Sequence, residues 1–288
     1  RVPLVGVTFQ TSTLAAVVLM TYVARYLSTI ESKLVSFKET LLPLWLPVFL
    51  IIGLILPANF STAAIIFAMV VLLVFIGGYP FRYLAIILTT GLLLLSLFVL
   101  TAKAFPEVFP NRVDTWISRV ASFVDKTDKD ADYQIIKAKT AIASGGITGL
   151  GPGKSVQKNF LPQSSSDFIY AIIIEEFGLI GGLFLVILYL WFLFRVVIIS
   201  NKSESIFGSL LAISMGLPIV FQAFINMSVS VELMPVTGQT LPLISSGGTS
   251  IWMTCLSIGI ILSVSNKYES NNDEVDKTNP LEILKETI

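Results

Sequence analysis

Long apolar runs separated by short polar stretches set the pattern of this chain. No Asp, Glu, Lys or Arg occurs in 2–24, 41–81, 83–102, 177–194, 205–231 or 233–266. A helix rises about 1.5 Å per residue, so about 20 apolar residues cross a hydrocarbon core and runs of that length read as transmembrane helices. The pattern predicts spans near 12–28, 41–57, 60–77, 82–102, 179–199, 206–226 and 247–265. The expected fold class is all-α, a polytopic transmembrane helix bundle over residues 1–265. A large polar loop, 103–178, separates the fourth span from the fifth. Within it Val113, Trp116, Ile117, Val120, Phe123 and Val124 recur at i, i+3, i+4 and i+7, the spacing of an amphipathic helix at a membrane interface. Tyr133 to Ser144 reads as a second helix, ended by Gly145 and Gly146. The tail 266–288 is polar and charge-rich and reads as a mostly disordered cytosolic extension.

Composition agrees with a membrane protein: 54% of residues are hydrophobic and 13% charged, against roughly 25% charged in a soluble domain. Net charge is zero, so no polyanionic partner such as nucleic acid is implied. The chain has no histidine, which removes imidazole catalysis and His metal sites, and the single cysteine, Cys255, excludes an intramolecular disulfide. With the C-terminus inside, the inner loops hold Arg25, Lys33, Lys38, Arg82, Arg195, Lys202 and Lys267, whereas the short outer segments hold only Arg1. Positive charge favours the cytoplasmic side, so the 103–178 loop is expected on the outer face of the membrane. Arg1 lacks an initiator Met, which suggests that further chain precedes it.

Candidate chemistry concentrates in 145–182. Gly145, Gly146, Gly149, Gly151 and Gly153 fall within nine positions. Such glycines can bring backbone N–H groups against an anion or simply make a flexible connection. The Walker spacing is absent, so this is no P-loop. Asp167 follows three serines and precedes an apolar run, a local pattern that favours a helix N-cap, with Ser164 as a loose capping box, over a catalytic acid. Glu175 and Glu176 would be costly at the start of a span unless solvated or paired, and Lys154 or Lys158 are the expected partners.

The segments GGITGLGPGKSVQK (145–158), LPQSSSDF (161–168), EEFG (175–178) and PVTGQTLPLISSGGTS (235–250), together with PANFSTA (57–63), resemble the SEDS family of cell-wall polymerases, in its cell-division branch. The family has ten spans, so the resemblance implies three more ahead of this chain. It also implies a peptidoglycan glycosyltransferase that polymerises lipid II at the outer face of the bacterial cytoplasmic membrane. The implied partners are a class B penicillin-binding protein and other membrane proteins of the division machinery. The family's essential acid maps onto Asp167, which would act as general base. Lys154, Lys158, Arg112 and Arg119 are the cations expected near the diphosphate, with Gln157, Glu175, Glu176, Ser245, Gly247 and Gly248 as further substrate-binding candidates. No cofactor is certain; a divalent cation (Mg or Mn) is a candidate.

Two departures stand out. The family's Q-P-S-E-x-x-K segment is here Gln10-Thr11-Ser12-Thr13 followed by Ala16, so its Glu and Lys are Thr13 and Ala16, and its I-S-Y-G-G tyrosine is Ser246. Replacing both members of an ion pair can be nearly neutral; if the pair handles the diphosphate, the enzyme is weakened. A lipid II flippase, suggested by Pro43, Pro47 and Pro218 inside spans, and a non-catalytic division scaffold are the alternative readings. Two placements are expected besides. The 235–250 segment should fold back toward 145–167 with its backbone buried. The partner's membrane helix should dock on the small residues of spans 12–28 and 206–226 (Ala15, Ala16, Gly208, Ala212, Gly216), with its pedestal on 103–135.

Overall fold

The computed structural model describes residues 2–4, 7–30, 36–104, 129–162 and 164–277. The amphipathic stretch 113–124, Arg112, Arg119 and the last residues of the tail lie outside them. The helices are α1 (Thr11–Ile30), α2 (Phe37–Ile55), α3 (Phe60–Ile76), α4 (Phe81–Ala104), α5 (Lys129–Gly145), α6 (Ile169–Lys202), α7 (Ile206–Ser230) and α8 (Gly248–Lys277). Six of these are long and apolar enough to cross a membrane, and α3, with 17 residues, is the shorter seventh. At about 25 Å it comes near to spanning a core. This is a multi-pass membrane protein. The apolar pattern gives no sign of the antiparallel hairpin that pairs Val2–Leu4 with Val7–Phe9. The helical backbone of α8 runs on to Lys277, into the segment read as a polar tail.

The bundle is organised around α7. Its small residues Gly208, Ala212, Ser214, Gly216 and Ala223 are all buried, which lets neighbouring helices approach closely. A Cβ on Gly216 would stand 2.6 Å from the Val196 side chain of α6, and one on Gly208 2.4 Å from Ser203 Oγ. The small-residue face of 206–226 is therefore consumed inside the chain, and the expectation that a partner docks there is corrected. A main apolar core packs α1, α2 and α3 through Leu19, Val23, Trp45, Val48, Val70 and Leu73. One apolar face left outside belongs to α6, where Leu183, Phe184, Ile187, Leu190, Trp191 and Phe194 are exposed.

The spans run on through their prolines, and Pro218 lies inside α7. Around Pro43 the first half of α2 widens into a π-turn, Leu41–Trp45, and the Pro43 carbonyl accepts the Tyr22 hydroxyl at 2.5 Å. α6 is interrupted at Gly178 (φ 70, ψ −174), just where the apolar run begins. The glycine loop after α5 splints this break. Leu150 N donates to Glu175 O (2.9 Å), Gly151 N to Glu176 O (2.9 Å), and Leu179 N to Gly146 O (2.9 Å). Backbone approaches backbone so closely that a Cβ on Gly178 would sit 2.1 Å from Ile147 O, and one on Gly149 2.2 Å from Glu176 O. Of the two readings of the glycine run, neither holds at these positions; they serve helix-to-loop packing.

The starts of α1, α3, α6 and α8 and the segment after α7 gather at one end of the bundle. Arg25, stacked at 5.3 Å over the Phe207 ring, marks the opposite end, where the basic inner loops were expected.

Candidate active site

Asp167 sits at the junction where the 155–167 loop enters α6. The N-cap position is Phe168, and Ser164 gives its hydroxyl proton to Lys158 O (3.0 Å), so the capping-box reading does not hold. Ser166 Oγ donates to Asp167 Oδ1 at 3.0 Å. The main-chain carbonyl of Asp167 accepts from Asn226 Nδ2 at 2.7 Å, and the same amide nitrogen donates to Gln239 O at 2.7 Å. Asn226 is 1% exposed. One buried side chain of α7 thus ties the acid to the 235–250 segment. Gly238 (φ +68) brings that segment against the carboxylate, since a Cβ there would lie 3.5 Å from Asp167 Oδ2.

The 235–250 segment folds back as expected at both its ends. Ser245 Oγ donates to Ser166 O (2.6 Å) and Ser246 N to Ser165 O (2.9 Å), so Ser245 holds the chain beside the acid and is itself 3% exposed. The tip differs from the expectation of a buried backbone. Leu243 is 52% exposed and lies with Ile244 along Leu185, Leu188 and Phe192, a wholly apolar surface of α6 suited to lipid. Tyr189 anchors this tip by donating its hydroxyl to Pro242 O at 2.5 Å.

Asp167 opens on a cavity of about 670 Å³ between α1, α3, α5, α7 and α8. Its polar wall is made of carboxamides and hydroxyls: Gln10, Gln134, Gln222, Gln239 and Asn59, with Ser12, Thr13, Thr62, Thr249 and Ser250. Asp167 is the one charged side chain among the described residues that line it. Several carboxamides are spent on the fold: Asn59 caps α3 by accepting from Thr62 N (3.1 Å), Gln239 Nε2 donates to Thr62 Oγ1 (3.1 Å) and Gln222 Nε2 to Thr240 O (3.0 Å). Thr13 and Ala16 line the cavity and also a smaller one of about 90 Å³ below it, between α1, α7 and α8.

The predicted site residues divide. Asp167, Gly247 and Gly248 line the cavity. Lys154 and Lys158 are exposed on the loop outside it, and Lys158 Nζ reaches back only to Gly153 O at 3.5 Å. Gln157 is half-buried beside them, and Arg112 and Arg119 fall outside the described residues. Glu175 is fully buried away from the cavity, and it is met by Ser155, Val156, Gln157 and Ser144 rather than by the lysine expected. Glu176 is half-buried, and its carbonyl receives Gly151 N. Sequence reasoning gave no role to Asn226, Gln222, Gln10 or Gln134. A signal was there for the first two, since an Asn and a Gln inside an apolar span are costly unless bonded.

No group of three or more carboxylate, His or Cys side chains able to hold a metal occurs among the described residues. One carboxylate among neutral oxygens nonetheless fits a hard cation of the Mg type, which binds through one or two carboxylates with substrate phosphates completing its shell.

A family model described as "Cell cycle protein", covering FtsW, RodA and SpoVE, matches residues 2–270. The chain is 32% identical over 270 residues to a probable peptidoglycan glycosyltransferase FtsW of Saccharophagus degradans, covering 92% of this chain and 67% of that protein. The corresponding protein of Bacillus subtilis is 34% identical over 269 residues, 88% of this chain and 65% of its own. The chain thus spans about two thirds of these relatives. Among solved structures, a chain from a peptidoglycan synthase complex, described as coordinating polymerization and crosslinking, superposes with a TM-score of 0.69 at 26% identity, covering 93% of this chain and 73% of that one. RodA of Thermus thermophilus shares the fold, with a TM-score of 0.62 at 24% identity, covering 93% and 69%. With an acid-bearing cavity walled by the segments that carry the SEDS resemblance and a match over nearly its whole length, the chain belongs to the FtsW, RodA and SpoVE family of cell cycle proteins.

Proposed function

We propose that the protein is a peptidoglycan glycosyltransferase that polymerises lipid II into glycan strands at the outer face of the bacterial cytoplasmic membrane during cell division. The observation that carries this reading is a single carboxylate, Asp167, set in a polar cavity at the membrane end of an apolar bundle. The names of the relatives support it. An acceptor sugar presents a 4-hydroxyl, and a donor chain presents an anomeric carbon bearing undecaprenyl diphosphate. The hydroxyl oxygen attacks the anomeric carbon, the bond to the diphosphate breaks, and the hydroxyl proton passes to Asp167. General-base help of this kind contributes about 10²–10⁴ in rate. One carboxylate and direct displacement give inversion at the sugar, as in inverting glycosidases. Carboxamides both donate and accept, so Gln10 and Gln134, whose side chains make no hydrogen bond among the described residues, suit sugar hydroxyls and N-acetyl groups.

The leaving diphosphate needs a positive counterpart. The described wall of the cavity holds none, so the charge comes from the 103–128 stretch, from Lys154 and Lys158 after loop movement, or from a divalent cation seated on Asp167. When bound, such an ion would neutralise the developing diphosphate charge. The lipid tails lie along the apolar helix faces. A class B penicillin-binding protein, with other division proteins, completes the machinery, and its membrane helix docks on the exposed face of α6.

The test is incubation of the purified full-length protein with lipid II, with and without its penicillin-binding partner, followed by gel analysis for glycan chains. Chains are expected with the partner present. No chains under either condition refutes the polymerase reading, and transbilayer movement of lipid II without chains supports the flippase in its place.

A further inference from the structure

Glu175 is a carboxylate that the chemistry above leaves unused. It lies eight residues after Asp167 in the first segment of α6 and is 0% exposed. Burying a polar acid is costly unless it is bonded; Ser144 of α5 donates to Glu175 Oε1 at 3.4 Å, and the other donors come from one short stretch of loop. Ser155 Oγ donates to Glu175 Oε2, and Val156 N and Gln157 N donate to Oε1 at 3.2 and 3.3 Å. A carboxylate only accepts, so the loop donors aimed at it suit the group, whereas a carboxamide would turn N–H toward the backbone N–H groups on one side. Charge-assisted bonds of this kind are about twice as strong as neutral ones.

From that anchor a chain of bonds runs to the acid. Ser155 Oγ accepts from Lys158 N (3.2 Å), Gln157 O accepts from Leu161 N (2.9 Å), and Lys158 O accepts from Ser164 Oγ (3.0 Å). Leu161 is 3% exposed and packs with Phe168 and Ala171 on either side of the turn into α6. Ser165 and Ser166 then lead into Asp167, pinned from the other side by Ser245, Ser246 and Asn226. We infer that Glu175 is a positioning residue. Its buried carboxylate fixes the 155–158 loop and, through it, the approach of Asp167 to the acceptor hydroxyl, while touching no substrate. The inference rests on Asp167 being the base of the proposed polymerase.

The test uses the full-length protein in lipid nanodiscs with its penicillin-binding partner, comparing the parent with Glu175→Gln. Three readouts are taken: amide exchange by mass spectrometry, lipid II affinity, and the maximal polymerisation rate. Exchange across 154–162 is expected to quicken about tenfold or more as the anchor weakens, with α7 amides unchanged. Lipid II affinity should stay within about twofold, and kcat should fall about 10- to 100-fold, since displacing a catalytic group by about 1 Å costs up to about 100-fold. Unchanged loop exchange with unchanged kcat overturns the proposal. So does a parallel loss of lipid II affinity and of α7 protection, which marks a general structural role. If Glu175→Gln does not accumulate, Ser155→Ala, which removes one donor and leaves the carboxylate its two backbone bonds, is judged by the same readouts. The exchange measurement needs no activity. A parent that binds lipid II yet makes no glycan therefore refutes the polymerase reading while the anchor is still tested.

Discussion

Replacing Asp167 by Asn separates a base from a structural residue, because Asn has nearly the same shape. In the fold, Ser166 Oγ can still donate to the remaining carbonyl oxygen at about the present 3.0 Å. The bond from Asn226 goes to the main chain of residue 167 and is untouched. Gly238, whose added Cβ would stand 3.5 Å from Oδ2, leaves room for an amide nitrogen. Of these contacts, only the Ser166 bond loses its charged character, at about 1 kcal/mol. Catalysis loses its only charged group among the described cavity residues. A general base contributes about 10²–10⁴ in rate, which is about 3–5 kcal/mol of barrier at 1.36 kcal/mol per decade. The expected outcome is a protein that expresses, melts within a few degrees of the parent and binds lipid II and its partner normally, while polymerisation on the gel falls at least about a hundredfold. An Asn variant that polymerises within about tenfold of the parent would falsify the assignment of Asp167 as base.

Three further outcomes are expected. Gly178→Ala places a Cβ 2.1 Å from Ile147 O at φ +70, a backbone region open almost only to glycine, and should cost about 3 kcal/mol or more; a thermal melt equal to the parent's would show that the clasp with the 145–151 loop is dispensable. Asn226→Leu removes the donor shared by the carbonyls of Asp167 and Gln239, at about 1–3 kcal/mol for each one left unpaired, and both stability and polymerisation should drop, with crosslinking between 167 and 238 reporting whether the two segments part. Ala16→Leu adds bulk to the wall shared by the two cavities and should raise the KM for lipid II about tenfold; titration of the rate against lipid II checks this, and an unchanged KM would place the substrate elsewhere.

The apolar runs alone determined the spans, since helices in lipid must bury their own backbone bonds and need about 20 apolar residues to do so. The 60–77 and 206–226 runs became α3 and α7 almost to the residue at their starts. The motifs around Asp167 and Gly238 pointed to the family and to the acid, because a short polar segment in an apolar chain stands out without any fold. What periodicity could not supply was which face of a span meets which neighbour. Apolar residues facing lipid and facing protein look alike, so the small residues of α7 read as a docking surface although Val196 fills it. Nor could spacing show that Glu175 would be met by backbone N–H groups from about 20 residues earlier rather than by a lysine. Contacts such as Asn226 to Asp167, 59 residues apart, exist only once the helices are packed. Tertiary structure alone decided the cavity, because its wall is drawn from five helices and a returning segment that share no local pattern.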